Sequence, residues 1–162
     1  MKIWKSVLAA TALALAAGSA FAQGRTDLVL GMVLEPPHLD PTAGAAAAID
    51  EVVYANVFEG LTRIGRSGEV EPALAESWEI SDDGKVYTFK LRTGVKFHDG
   101  SDLTAEDVKF SLDRARAADS TNAQKVLFEA IENVEAVDPA TVKVTLKNPT
   151  GAFLYNMGWA MR

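Results

Sequence analysis

Apolar and polar positions alternate most clearly around residue 89. Tyr87, Phe89 and Leu91 fall on one side of a period-two pattern, and Val86, Thr88, Lys90 and Arg92 on the other. That is the signature of a strand with one buried face. Trp78 and Ile80 alternate in the same way just before it, and an aromatic at such a position belongs to a core more often than to a ligand site. Between the two runs stands Asp82-Asp83-Gly84-Lys85, where Gly84 can take the positive φ that a short hairpin loop needs. Asp99-Gly100 marks a second turn. Thr104 then precedes Ala105-Glu106-Asp107, a good N-cap with an acid at the capping-box position and negative charge at the helix start. Val108, Ser111, Leu112 and Ala115 share one helical face. Residues 72–112 therefore read as a β-hairpin leading into a capped helix.

The flanking pattern predicts further elements. Thr26 to Leu34 is apolar enough for a buried strand. Three prolines between Pro36 and Pro41 then forbid helix and ladder and fix a stiff turn. Ile49, Val52, Val53 and Val57 follow at helical spacing, with Gly60 placed to end that helix. Gly65, Ser67 and Gly68 form a loop, as does the polar stretch from Ala117 to Gln124. A short helix is expected within Lys125–Ile131. Val134 and Ala136, then Asp138-Pro139, then Val142, Val144 and Leu146 read as a second hairpin. Gly151 to Met161 is apolar and aromatic and starts a helix; Trp159 in it fits either a core or a stacking role.

The N-terminus changes the picture. Lys2 and Lys5 precede an Ala-rich apolar run from Val7 to Ala17, and Ala20-Phe21-Ala22 is a small-x-small cleavage motif. Residues 1–22 are thus expected to be a signal peptide, cleaved to leave Gln23; the run is too short for a membrane span, which takes about 20 residues. Its loss removes two lysines and no acid, so the formal charge moves from −6 to −8. Such a charge argues against nucleic acid and anionic membrane surfaces as partners. There is no cysteine, hence no disulfide framework and no lipid attachment near the cleavage motif.

Several stretches together resemble a known family. They are Pro72-Ala73-Leu74-Ala75-Glu76-Ser77-Trp78, Asp83-Gly84, Tyr87-Thr88-Phe89-Lys90-Leu91-Arg92, Gly94-Val95-Lys96-Phe97-His98-Asp99-Gly100 and Leu103-Thr104-Ala105-Glu106-Asp107-Val108. In this order and at this spacing they are similar to the extracellular solute-binding proteins of family 5, the peptide-, dipeptide- and nickel-type binding components of ABC importers. Glu59-Gly60-Leu61 and Leu39-Asp40-Pro41 extend the likeness upstream. The resemblance implies an α/β, type II-like periplasmic binding fold with a mixed sheet and β-hairpins. It also implies that residues 23–162 are a truncated N-terminal part of the first lobe. It places Thr42, Ala43, Gly44, Ala45 and Ala46, after the Leu-Asp-Pro motif, beside the ligand cleft. The implied protein is a monomer in the periplasm. It binds a small solute, most simply a peptide, and delivers it to an inner-membrane permease, with no cofactor and no catalysis.

His38 and His98 are sixty residues apart with no further ligand at metal spacing, so no metal site is expected. The pairs Glu106-Asp107 and Asp82-Asp83 are explained by capping and turn chemistry, and adjacent helix residues do not face each other. Nothing resembles GxSxG, a Walker loop or GxGxxG. A secreted hydrolase would need a nucleophile with its base, and an envelope chaperone a large apolar client surface.

Overall fold

The computed structural model describes residues 27–44, 46–54 and 56–160, the side chains at 159 and 160 excepted. The expected signal peptide over residues 1–22, its cleavage at Gln23, and the side chain of Trp159 lie outside the described residues. The chain divides into two units, Met1–Val33 and Leu34–Arg162. Of the first, only 27–33 are described. These residues form no strand, and Leu28, Val29, Leu30 and Val33 are exposed. The buried strand expected over Thr26–Leu34 is therefore corrected. An apolar run becomes a strand only where a neighbouring backbone completes its ladder, and no described residue does so.

In the second unit the elements are, in order, α1 (Ala47–Val53), β1 (Thr62–Ile64), β2 (Val70–Pro72), β3 (Ala75–Ile80), β4 (Val86–Leu91), α2 (Ala105–Arg116), a 3₁₀ turn (Lys125–Phe128), β5 (Ile131–Asp138), β6 (Thr141–Leu146) and α3 (Phe153–Ala160). The four longer strands form one sheet in the order β3-β4-β6-β5, while β1 and β2 pair separately. Every one of these pairings is antiparallel.

The alternation in β4 is realised as read. Tyr87, Phe89 and Leu91 are buried, and Phe89 sits opposite Val142 of β6 and Trp78 of β3. The β3–β4 turn closes as its residues dictate: Gly84 has φ 68° and its N–H donates to the Ser81 carbonyl at 2.8 Å. Val142, Val144 and Leu146 continue the buried face on β6. Helix α2 covers that face through Val108, Leu112 and Ala115. Its start is held by a capping box, in which Asp107 Oδ2 accepts from the N–H and the hydroxyl of Thr104, each at 2.8 Å. Helix α3 brings Phe153 to the same face, 4.7 Å from the Tyr87 ring. It also packs on β1, where a side chain at Gly158 would come within 2.9 Å of Ile64. The Thr62 hydroxyl donates to the Leu154 carbonyl across that contact.

Two expectations need adjustment. Trp78 is half-buried, its ring 6.5 Å from Phe89. It lies on the edge strand β3, after a bulge between Ala75 and Ser77, with no further strand paired beyond it among the described residues. Helix α1 ends at Val53, well before Gly60, and Val57 is exposed. Tyr54 turns to extended geometry at ψ 127°, and Asn56 Nδ2 donates to the Val52 carbonyl. β-branched residues with no side-chain cap give that helix little reason to continue. Gly60 instead uses its carbonyl to accept the Leu74 N–H at 3.0 Å.

Candidate solute-binding site

The loop from Leu39 to Ala46 is organised by short-range bonds. Asp40 Oδ1 accepts from the Thr42 N–H at 2.8 Å and from its hydroxyl at 2.7 Å. These bonds hold the Asp40 carboxyl below its ordinary range, because they favour the charged form. The Asp40 N–H in turn donates to His38 Nδ1 at 3.3 Å. The His38 ring lies over Gly44, where an added Cβ would stand 3.1 Å from Cε1 and 3.2 Å from Ile49 Cδ1. His38 is thus a packing partner of Gly44, and His98 lies in a separate turn. Among the described residues no group of three or more His, Cys, Asp or Glu is arranged for a metal ion.

The Thr42 carbonyl accepts the Ala123 N–H at 3.1 Å. That bond brings the loop against the segment after α2 and leaves a cavity of about 240 Å³ between them. Thr42, Phe110, Arg114, Asp119 and Asn122 line it. Of the five positions implied by the resemblance, Thr42 is the only described one that lines this cavity. Ala43 and Ala46 are exposed, Gly44 is half-buried against His38, and Ala45 lies outside the described residues. Phe110, Arg114 and Asp119 were missed. A signal for the first two was present: Phe110 is an apolar residue on the polar side of α2, and Arg114 follows it one turn later.

A second cavity, of about 390 Å³, opens over the core beside Val108, Leu112 and Phe128. Three of its polar lining side chains are already engaged, while His98 and Ser111 have no side-chain partner among the described residues. Glu59 pairs with Arg92, Lys96 with Asp102 at 2.5 Å, and Asp107 serves the capping box. It is mainly apolar, whereas the cavity beside Thr42 holds two uncommitted charged groups, Arg114 and Asp119.

Comparison with known proteins decides what this scaffold is. The family described as bacterial extracellular solute-binding proteins, family 5 (Middle), matches residues 69–159. The chain belongs to that family. The matched family-5 stretch runs from the β1–β2 turn into α3. It holds Phe110, Arg114 and Asp119, while the Thr42 loop precedes it. Among family-5 relatives, the glutathione-binding protein GsiB of Salmonella choleraesuis (strain SC-B67) is 40% identical over 147 residues, covering 91% of this chain and 28% of that protein. The structure of NikZ from Campylobacter jejuni in complex with Ni(L-His) is similar at 38% identity and TM-score 0.70, over 79% of this chain and 25% of that one. The PBP AgaA in complex with agropinic acid, from A. tumefaciens R10, is similar at 35% identity and TM-score 0.71, over 76% and 25%. The chain thus spans about 28% of the length of the curated relatives it matches. NikZ and its neighbours share the type II periplasmic binding fold expected from the sequence.

Proposed function

We propose that this chain is the N-terminal part of the first lobe of an ABC importer's substrate-binding protein. In this reading it is exported to the periplasm by a signal peptide cleaved after Ala22. Its Thr42–Ala46 loop forms one wall of the cleft for a peptide or a similar small solute. It binds and releases without catalysis, and a membrane permease receives the solute. The observation that carries the reading is the cavity between the Thr42 loop and α2, on a scaffold of this family. Relatives named for glutathione, for a nickel–histidine complex and for agropinic acid support a small polar solute. The cavity is smaller than the roughly 300–1,000 Å³ that encloses a whole ligand, as one wall of a cleft is. Two lobes that close on a solute bury it from both sides, and the permease reads the closed form.

The test is a titration of the purified chain followed by amide NMR, using glutathione, dialanine and nickel–histidine. At least one is expected to perturb Thr42, Ala43, Gly44 or Ala46. Calorimetry is expected to find no binding tighter than about 10 μM, because one wall leaves the ligand wet. Perturbation by none of the solutes overturns the reading. Intact mass of the exported product is expected to start at Gln23, and a retained Met1 on folded, exported protein overturns the leader assignment.

A further inference from the structure

The cavity of about 390 Å³ lies outside the proposed solute cleft. Its floor is core, for Val108, Leu112 and Phe128 are buried there. Its walls are apolar but open: Phe58 and Phe97 both line it, and each keeps 41% of its surface exposed. Single exposed apolar residues are ordinary. Two exposed rings around one hollow, with a third ring buried beneath, form a concave aromatic surface. The volume falls within the roughly 300–1,000 Å³ of small-molecule sites. The charged groups of the lining restrict what can enter. Glu59 is paired with Arg92, Lys96 with Asp102, and Asp107 accepts from Thr104. An anion could reach Lys96 only by displacing Asp102, and a cation Glu59 only by displacing Arg92. Either would also bring a charge against apolar walls, which costs free energy. The lining is thus complementary to an uncharged molecule. His98 and Ser111 remain, both exposed and both without a side-chain partner among the described residues. An imidazole and a hydroxyl can each donate or accept a hydrogen bond.

We infer that this cavity is a second binding site, for an uncharged aromatic molecule of one or two rings that carries a single hydroxyl or ring N–H, a phenol or an indole. Its rings pack against Phe58, Phe97 and Phe128, and its polar atom bonds to His98 or Ser111. Aromatic pairs favour tilted and offset contacts, and three phenylalanines around one hollow supply them. The single polar group keeps its hydrogen bond while the rest of the molecule leaves water. A charged peptide terminus finds no free ionic partner here, so this site and the solute cleft take different chemistry. The inference stands independently of the cleft reading.

The experiment is an amide NMR titration of the chain at pH 7 with four one-ring probes: phenol, toluene, benzoate and benzylamine. Phenol is expected to shift the amides of Val95, Phe97, Val108 and Phe128 saturably, in the millimolar range, and to leave Thr42, Asp119 and Asn122 unmoved. Ser111 borders both cavities and is not used as a reporter. Benzoate and protonated benzylamine are expected to bind at least about fivefold more weakly, the scale of one exposed ion pair displaced. Phe97→Ala should weaken phenol and toluene alike. In the double variant His98→Ala, Ser111→Ala, the affinity ratio of phenol to toluene should fall about fivefold, the scale of one hydrogen bond. All three side chains are exposed, so these variants are expected to fold, and their amide spectra check this. Absence of saturable shifts from phenol overturns the site. So does equal binding of the charged probes, or an unchanged phenol-to-toluene ratio in the double variant. Shifts of the same amides on dilution, with no probe present, would show that a second copy fills the cavity, and they overturn it as well. The cleft reading is tested by its own solutes at Thr42 and stands or falls separately.

Discussion

In the four-stranded sheet, Phe89, Val142 and Val144 retain no exposed surface. Between Leu34 and Gly60 of the same unit, α1 buries Ile49 and Val53, but on either side of it Leu34, Leu39, Val57 and Phe58 keep 41–65% of theirs. Both regions carry apolar residues at regular spacing. The sheet differs because each strand has a hydrogen-bonded neighbour and two helices covering one face. Burial needs a partner as well as a pattern. The loop before α1 spends polar side chains on itself, as Asp40 and Thr42 do. That same economy leaves the Thr42 side of its loop free to line a cavity.

The largest effect that tests this contrast is expected at Phe89. Phe89→Ala removes a fully buried ring with three aromatic neighbours, so urea denaturation should show a loss of about 3–5 kcal/mol. Trp78→Ala, on the open edge, should cost about 1–2 kcal/mol, because roughly half as much surface returns to water. A loss equal to that of Phe89 would mean that the edge is covered in solution. Thr104→Ala should cost about 1 kcal/mol by disabling the capping box, again read by denaturation.

Acid should erode the sheet side through Asp113. Burial pushes its carboxyl up, but the hydrogen bonds from Lys109 and Arg116 outweigh this and leave it lowered. A lowered carboxyl contributes stability above its unfolded value of about 3.9. That contribution is lost as pH falls through the still lower folded value. Denaturation midpoints below about pH 4 should therefore fall more steeply for the native chain than for Asp113→Asn. The smallest effect is expected in the leading segment. Gly44→Ala should change stability by less than about 1 kcal/mol, since the exposed His38 ring can swing away. The resonances of His38 should shift nonetheless, and a large loss of stability would show that this loop is packed as firmly as the sheet.

The sequence made some features legible because their causes are local. Gly84 needs only its own φ, Thr104 and Asp107 are three residues apart, and the β4 alternation is written in consecutive side chains. The hairpin β5–β6 was legible for the same reason. The end of α1 was not, because Gly60 fits a helix stop until Leu74 is seen to take its carbonyl. The half-exposure of Trp78 depends on β3 lying at the sheet edge, which alternation does not encode. The site was partly legible: resemblance pointed to Thr42, but Arg114 and Asp119 join it only through the bond between Thr42 and Ala123.

The strand order also bears on how the chain reaches this state. The β3–β4 and β5–β6 hairpins are local, and such pairs form in about 1–10 μs. The seam between β4 and β6 is not: Lys90 Nζ donates to Thr141 Oγ1 at 2.9 Å across 51 residues, with all of α2 threaded between. Closing that span costs chain entropy before any contact repays it. The seam is therefore expected to set the folding rate of this unit, as stopped-flow refolding can check. Substitutions at Val142 or Phe89 should slow refolding, whereas changes within either turn should chiefly speed unfolding.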